Sequence, residues 1–452
     1  MTDWHWHPQP AAQAFVDRVI ESFLAQCAPA AALAERMRSE TGTRFRDWVD
    51  FVETPIDPDV ESRLADAGFV EHAEDGAPRV WRHPGAILPP VLAATGPTLR
   101  VGIKVERVSD FAAVHAIPND HVIQGEPWSR LRRLPAFYGD NAELWAIERR
   151  GYSGFKVDDP DPARSVLTLR HSEALRRRAR DFEDEALGFA RANALVDAAS
   201  ADLGVDAACD LFFAAEREYW MRRNRAAQVQ FARQQRLGLG WANHDHHTFR
   251  SSRWCFRRLV ALLEKLGFHC RERFYAGQEA GWGAQVLEQS VCGLTVFADV
   301  DLSPEEVSGN FAHEPLKDRA ELGTVGLWCG LHGESILQAG MHHLECQFDF
   351  EALRDQLGAA GVGTMAPFTN FPFLRQAFTE GERWRVADKR VDRLLDQGLI
   401  SAPQAHTFKL EGAVGSHLEN LERNDGYKGF NQTGVSDIIA RTDPRKQPVI
   451  SA

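Results

Sequence analysis

Apolar residues recur at helical spacing in "AFVDRVIESFLAQ" and "ESRLADAGFV", so residues 10 to 90 are expected to be mainly helical, closing in a Pro-rich linker, "HPGAILPPVL". From 99 to 155 the pattern changes. "LRVGIKV" and "AELWAIERRGYSGF" read as strands on either side of a helix, "SDFAAVHA". Residues 172 to 237 return to a charged helical pattern, where Arg176, Arg177 and Arg178 are answered by the acids of "DFEDEAL" and form a solvated face. Beyond 240, strands and helices alternate to the end. The shifts predict an N-terminal helical region at 1–94, a short strand-rich module at 95–160, a helical insertion at 161–237 and a second strand–helix region at 238–452.

A repeat runs through these segments. "HTFRSSRWCFRRLVALLEKLGF" reads as a strand, an N-capping Ser252 and a helix with apolar residues at 256, 259, 263 and 266. "HLECQFDFEALRDQLGAAGV" has the same plan with Asp349 as cap, and "IKVERVSDFAAVHAI" has it with Ser109. Six residues before each cap stand His246, His343 and Ile103, so two copies carry a ligand-type side chain and the third an apolar one. The closing strands repeat as well. "AIERRGYSGF" and "NLERNDGYKGF" share Glu-Arg and then Gly-Tyr-x-Gly-Phe, and aligning them sets Glu419 against Trp145.

Strand alternation then sorts the side chains. In "MHHLECQF", His342 falls with Leu344, Cys346 and Phe348 on a core face, whereas His343 falls with Glu345 and Gln347. In "NHDHHTFR", His246 falls with His244, Thr248 and Arg250. Arg250 can hold a substrate carboxylate in a bidentate fork, and a strand with Glu419, Leu421 and Arg423 on one face aims a carboxylate and a guanidinium into the same space. Two imidazoles, His246 and His343, with one carboxylate, Glu419, form the facial donor set that suits non-haem Fe(II) and leaves positions open.

Composition narrows the classes. With 44% hydrophobic and 26% charged residues the chain is globular, and 52 Lys+Arg against 64 Asp+Glu give a net charge of −12 that disfavours nucleic acid and anionic membrane surfaces. Small-molecule chemistry is favoured. The seven cysteines form no Cys-x-x-Cys pair, and no apolar run approaches a membrane span, so a cytoplasmic protein with free thiols is expected. There is no Walker loop, Gly-x-Gly-x-x-Gly, His-Glu-x-x-His or Gly-x-Ser-x-Gly.

At these residues the sequence resembles the vicinal oxygen chelate superfamily, whose βαβββ modules carry histidine on the first strand of two modules and glutamate on the last. "LENLERNDGYKGF" is similar to the end of 4-hydroxyphenylpyruvate dioxygenase. His246-x-Thr248-x-Arg250 and the "LEQS" strand with Gln289 are closer to the 2-oxoadipate dioxygenase/decarboxylase family. The resemblance covers roughly 240 to 440. It implies an α+β fold of paired βαβββ modules in a half-open barrel with added helical segments, 95–160 being a degenerate module. It also implies one Fe(II) per chain, O2 as co-substrate, and a 2-oxo acid whose decarboxylation supplies electrons. Arg250, Gln289 and Arg423 would be catalytic, with Arg250, Gln289 and Phe430 holding substrate. His332 and Glu334, in "LGTVGLWCGLHGES", read as a loop beside a buried strand.

Two rivals remain open at this stage: a non-redox metal-dependent isomerase or lyase of the same superfamily, favoured by a second acidic residue at the metal, and a metal-free small-molecule binding protein. The sequence leaves the substrate and the oligomeric state undetermined.

Overall fold

Two helices form where the apolar spacing predicts them, α1 (Pro10–Gln26) and α2 (Ala28–Thr41), and they bury Phe15, Val16, Phe23, Leu33 and Met37. In the computed structural model, which describes residues 6–118, 122–431 and 443–449, this face packs on a sheet. The helical pattern expected up to residue 90 ends early. Between 49 and 93 the chain forms β1 (Val49–Thr54), α3 (Pro58–Asp66), β2 (Val70–Glu74), β3 (Ala77–Arg82) and β4 (Val91–Ala93). Only "ESRLADAGFV" keeps its helix there, with Asp57 accepting the Val60 N–H as N-cap (2.8 Å).

The next stretch gives β5 (Leu99–Lys104), α4 (Val108–Val114), β6 (Leu131–Gly139) and β7 (Ala142–Arg149). These strands and β1–β4 make one seven-stranded sheet in the order β2-β3-β4-β1-β5-β7-β6. Helices α5 (Pro162–Arg176), α6 (Glu185–Leu203), α7 (Val205–Met221) and α8 (Arg225–Gln235) fill the predicted helical stretch.

A second sheet follows, from β8 (His244–Arg250), α9 (Phe256–Lys265), β9 (His269–Tyr275), β10 (Trp282–Gln289), β11 (Leu294–Asp301), α10 (Pro304–Ser308), α11 (Thr324–His332) and β12 (His343–Gln347). It is completed by α12 (Phe350–Ala359), β13 (Thr369–Phe371), β14 (Leu374–Phe378), β15 (Glu382–Trp384), α13 (Asp388–Asp396), α14 (Ala402–Glu411) and β16 (Ala413–Arg423). Its nine strands run β13-β14-β16-β12-β8-β11-β10-β9, with β15 against β16, and curl into a half-open barrel. Phe212 and Phe213 of α7 pack behind it on Phe249, Leu344 and Leu418, while Val325 and Trp328 of α11 enter its concave side beside Ala284 and Phe297. Among the described residues no helix is long and apolar enough to cross a membrane.

The two sheets share one plan. In each, the first strands of two modules pair antiparallel (β1 with β5, β8 with β12), and each first strand pairs parallel with the last strand of its own module (β4, β7, β11, β16). Both sheets are thus built from paired βαβββ modules, the module at 99–149 showing three strands among the described residues.

Candidate metal centre

Register brings the candidate ligands together. Glu345 on β12 sits between His246 on β8 and Glu419 on β16, and His343 lies two residues along on the same face. The donor atoms of His246, His343 and Glu419 all lie within 4.8 Å of one another, with His343 Nε2 3.0 Å from Glu419 Oε2. All three residues are buried.

A β-bulge sets the orientation of His246. Pairing of β8 with β12 shifts by one residue at Asp245, so strict alternation fails there. Asp245 turns toward His246, and its Oδ1 lies 3.2 Å from the ring Nδ1. His244 turns the other way and packs its ring on His247 at 5.3 Å, correcting the expected grouping of His244 with His246. Holding Nδ1 leaves His246 Nε2 for the cluster, the usual orientation of a ligating imidazole by a carboxylate.

Asp245 is itself clasped by Arg423. Arg423 Nε and Nη2 donate to its two oxygens, each at 2.9 Å, and Nη1 donates to the carbonyls of Tyr427 (3.1 Å) and Gly429 (2.7 Å). Burial alone would raise the Asp245 carboxyl, but Arg423 and His246 outweigh it and hold the group far below the usual range. The first sheet carries the same clasp. Arg149 Nε and Nη2 engage Asp50, which stands at a register shift in β1, and Arg149 Nη1 donates to the carbonyls of Tyr152 and Gly154. Among the described residues no ligand set accompanies that copy, so the Arg–Asp clasp itself is common to both sheets, and at Arg423, which the sequence reading assigns to catalysis, it holds the carboxylate beside His246.

The repeat also corrects the counterpart of His343. Gly102 pairs with Phe51 and Trp145 as Glu345 pairs with His246 and Glu419. The equivalents of His246, His343, Glu345 and Glu419 are therefore Phe51, Arg100, Gly102 and Trp145. Ile103 faces the opposite, helix-covered side and is fully buried. The cap count misled because α4 starts at Val108, whose N–H goes to Glu148 (3.0 Å), rather than at a helix capped by Ser109. In α9 the cap is Cys255, and Ser252 accepts the Cys255 N–H one turn earlier (3.3 Å). A Cβ at Gly102 would run into the Phe51 ring, so the pocket that holds donors in one sheet is filled by an aromatic ring in the other.

Gln289 is not in the site. It lies on the helix-covered face of β10, where its Nε2 donates to Asp206 (2.6 Å) and its Oε1 accepts from the Cys292 N–H (2.8 Å). Phe430 is at the centre: its ring packs edge-on to His246 at 5.0 Å and to Phe297 at 4.5 Å. Arg250 lies on the inner face with Asp299 3.8 Å away, and its Nε and Nη1 are buried without a hydrogen-bond partner among the described residues. Burial pushes the Asp299 carboxyl up to about 8, Arg250 opposing. His342 is held by the Gly415 carbonyl (3.0 Å). His332 lies at the Val414 carbonyl (3.2 Å), and Glu334 takes the Ser251 hydroxyl (2.8 Å).

Two residues escaped the sequence reading. Glu345 is completely buried and contacts His246 Nε2, and Gln376 Nε2 donates to both Glu345 (3.3 Å) and Glu419 (3.2 Å). The Glu345 signal was its shared face with His343. Burial pushes Glu419 up to about 7, burial and the neighbouring Glu419 push Glu345 well above the usual carboxylate range, and burial and Arg250 hold His343 at about 3, the neutral form that ligates. Three buried carboxylates surround two neutral imidazoles, and the guanidinium that contacts them, Arg423, is already engaged by Asp245. A divalent cation among them supplies the missing opposite charge, so this donor set fits a metal.

No protein-family model matches the sequence, and no curated protein matches it. Solved structures with some likeness include a mutant of 4-hydroxymandelate synthase from Streptomyces coelicolor (13% identity, 88% of this chain and 97% of that one, TM-score 0.27). Another is methylmalonyl-CoA epimerase from Mycobacterium tuberculosis (13%, 40% and 89%, TM-score 0.23). A third is the uncharacterized protein YdcJ from Shigella flexneri, which includes domain DUF1338 (11%, 58% and 72%, TM-score 0.23).

Proposed function

We propose that the chain is an Fe(II)-dependent oxygenase that decarboxylates a 2-oxo acid, with His246, His343 and Glu419 holding the metal. The observation that carries this reading is the buried edge of the Arg250 guanidinium, whose Nε and Nη1 make no hydrogen bond among the described residues, on the concave face that bears the two imidazoles and the carboxylate. When bound, Fe(II) supplies the electron-transfer chemistry that couples O2 reduction to loss of CO2 from a 2-oxo acid. Arg250 binds the substrate carboxylate, and the burial that pushes Asp299 up to about 8 weakens its hold on that guanidinium. Phe297, Phe378 and Phe430 exclude water around the ligands. Asp245 keeps the His246 Nδ1 proton in place.

Replacing Arg250 with alanine should raise KM for a 2-oxo acid by one to two decades, the equivalent of about 1.5–3 kcal/mol for a charge-assisted contact, with metal retained. Arg250→Lys should recover little, because an ammonium lacks the planar fork. Steady-state O2 consumption measures both, and an unchanged KM removes Arg250 from the site.

Glu345 favours a second reading, a metal-dependent isomerase or lyase in which this carboxylate is a fourth ligand or a base. The oxygenase reading predicts that Glu345→Gln keeps its metal and its substrate-dependent O2 uptake. Loss of metal in that variant, together with anaerobic turnover by the parent protein, would establish the isomerase or lyase instead.

A further inference from the structure

A cavity of about 930 Å³ lies between the two sheets, lined by both clasps, Asp50 with Arg149 and Asp245 with Arg423. None of His246, His343 and Glu419 lines it; Phe430 and Asp245 stand at the boundary. Its volume is near the upper end of the ~300–1,000 Å³ usual for small-molecule sites.

The charge of the wall is opposite to that of the protein. Twelve lining residues are Lys or Arg and six are Asp or Glu, in a chain whose net charge is −12. Several of these cations are already paired: Arg132 with Glu148, Arg271 with Glu272, Lys428 with Glu288. Others are not. Lys104 projects from β5 at the register of Gln347, but whereas Gln347 donates to Asp245 (3.0 Å), Lys104 has no hydrogen bond or ion pair among the described residues. The carboxylates that act on it, Asp50 and Asp245, are engaged by Arg149 and Arg423. Across the cavity Arg217 of α7 makes no ion pair among the described residues; its Nη1 lies 3.2 Å from the His247 ring nitrogen, and the carboxylate that acts on it, Asp210, is shared with Arg150. Cations that line a cavity without a close ion pair raise the local concentration of anions and bind clustered anionic oxygens.

We infer that this cavity is a second ligand site, separate from the metal centre, for a small molecule bearing several anionic oxygens, whether a phosphate ester or a polycarboxylate. The site takes its ligand between Lys104 on one sheet and Arg217 on the helix behind the other. It does not depend on the reaction at the metal.

Calorimetric titration of the full chain with tripolyphosphate and, separately, with citrate tests this. At low salt at least one of the two binds with one equivalent per chain and weakens as salt is added; whichever binds identifies the class. Lys104→Gln and Arg217→Gln each weaken that binding at least tenfold while the thermal midpoint and the metal content of the protein stay unchanged. Absence of binding by both probes, or equal binding by the parent and both variants, overturns the inference. Should Arg217→Gln misfold through its contact with His247, Lys104→Gln alone decides, since Lys104 contributes no hydrogen bond to the fold.

Discussion

Single replacement of His246, His343 or Glu419 by alanine abolishes retention of a divalent metal and leaves the chain folded. Each residue supplies one of three donors that converge within 4.8 Å, and a site reduced to two donors loses more than the roughly 10–100-fold that removal of an outer partner costs. Folding survives because the strands that carry the donors are held by backbone register and by the apolar layer behind them, where Phe249, Leu344 and Leu418 pack under α7. Metal analysis after anaerobic Fe(II) loading, alongside circular dichroism, reads both quantities. Full occupancy in all three variants would refute the assignment.

The two clasps respond differently to the same change. Arg423→Met leaves the buried Asp245 carboxylate without its cation, which costs about 3–5 kcal/mol of stability, and it loosens the carboxylate that orients His246, so metal affinity falls roughly 10–100-fold. Arg149→Met does the same to Asp50 and costs a similar amount, but the residue beside Asp50 is Phe51, so metal affinity is unchanged. Urea denaturation and metal titration of both variants separate stability from ligation. Equal loss of metal affinity in Arg149→Met would show that the effect is global loosening rather than local orientation.

The three donors were legible because strand alternation is robust where pairing is regular: His343 and Glu419 keep the face that the period of two assigns them. It failed at one point. The bulge at Asp245 inserts a residue, so His244 left the ligand face and Asp245 joined the imidazole. The cap count failed for Ile103 because helix starts drift by two or three residues while register does not. Residues 49–93 escaped because β1 is short and follows two long helices; its "VDF" against the "HDH" of β8 was the available clue to an equivalent bulge and clasp. Gln289 was carried over from a resemblance, but the pairing of β10 turns it away from the cavity toward Asp206. Glu345 shares the His343 face in the sequence pattern, and only the pairing with Glu419 on β16 brings the two carboxylates side by side.

The most direct test of the metal assignment is anomalous diffraction at the iron edge from crystals of the Fe(II)-loaded protein. One peak per chain is expected, at about 2.0–2.2 Å from a nitrogen of His246, a nitrogen of His343 and a carboxylate oxygen of Glu419, with none between Phe51, Arg100 and Trp145. A peak at the exposed group formed by Glu264, Cys270 and His313, or no peak in the curled sheet, would contradict it.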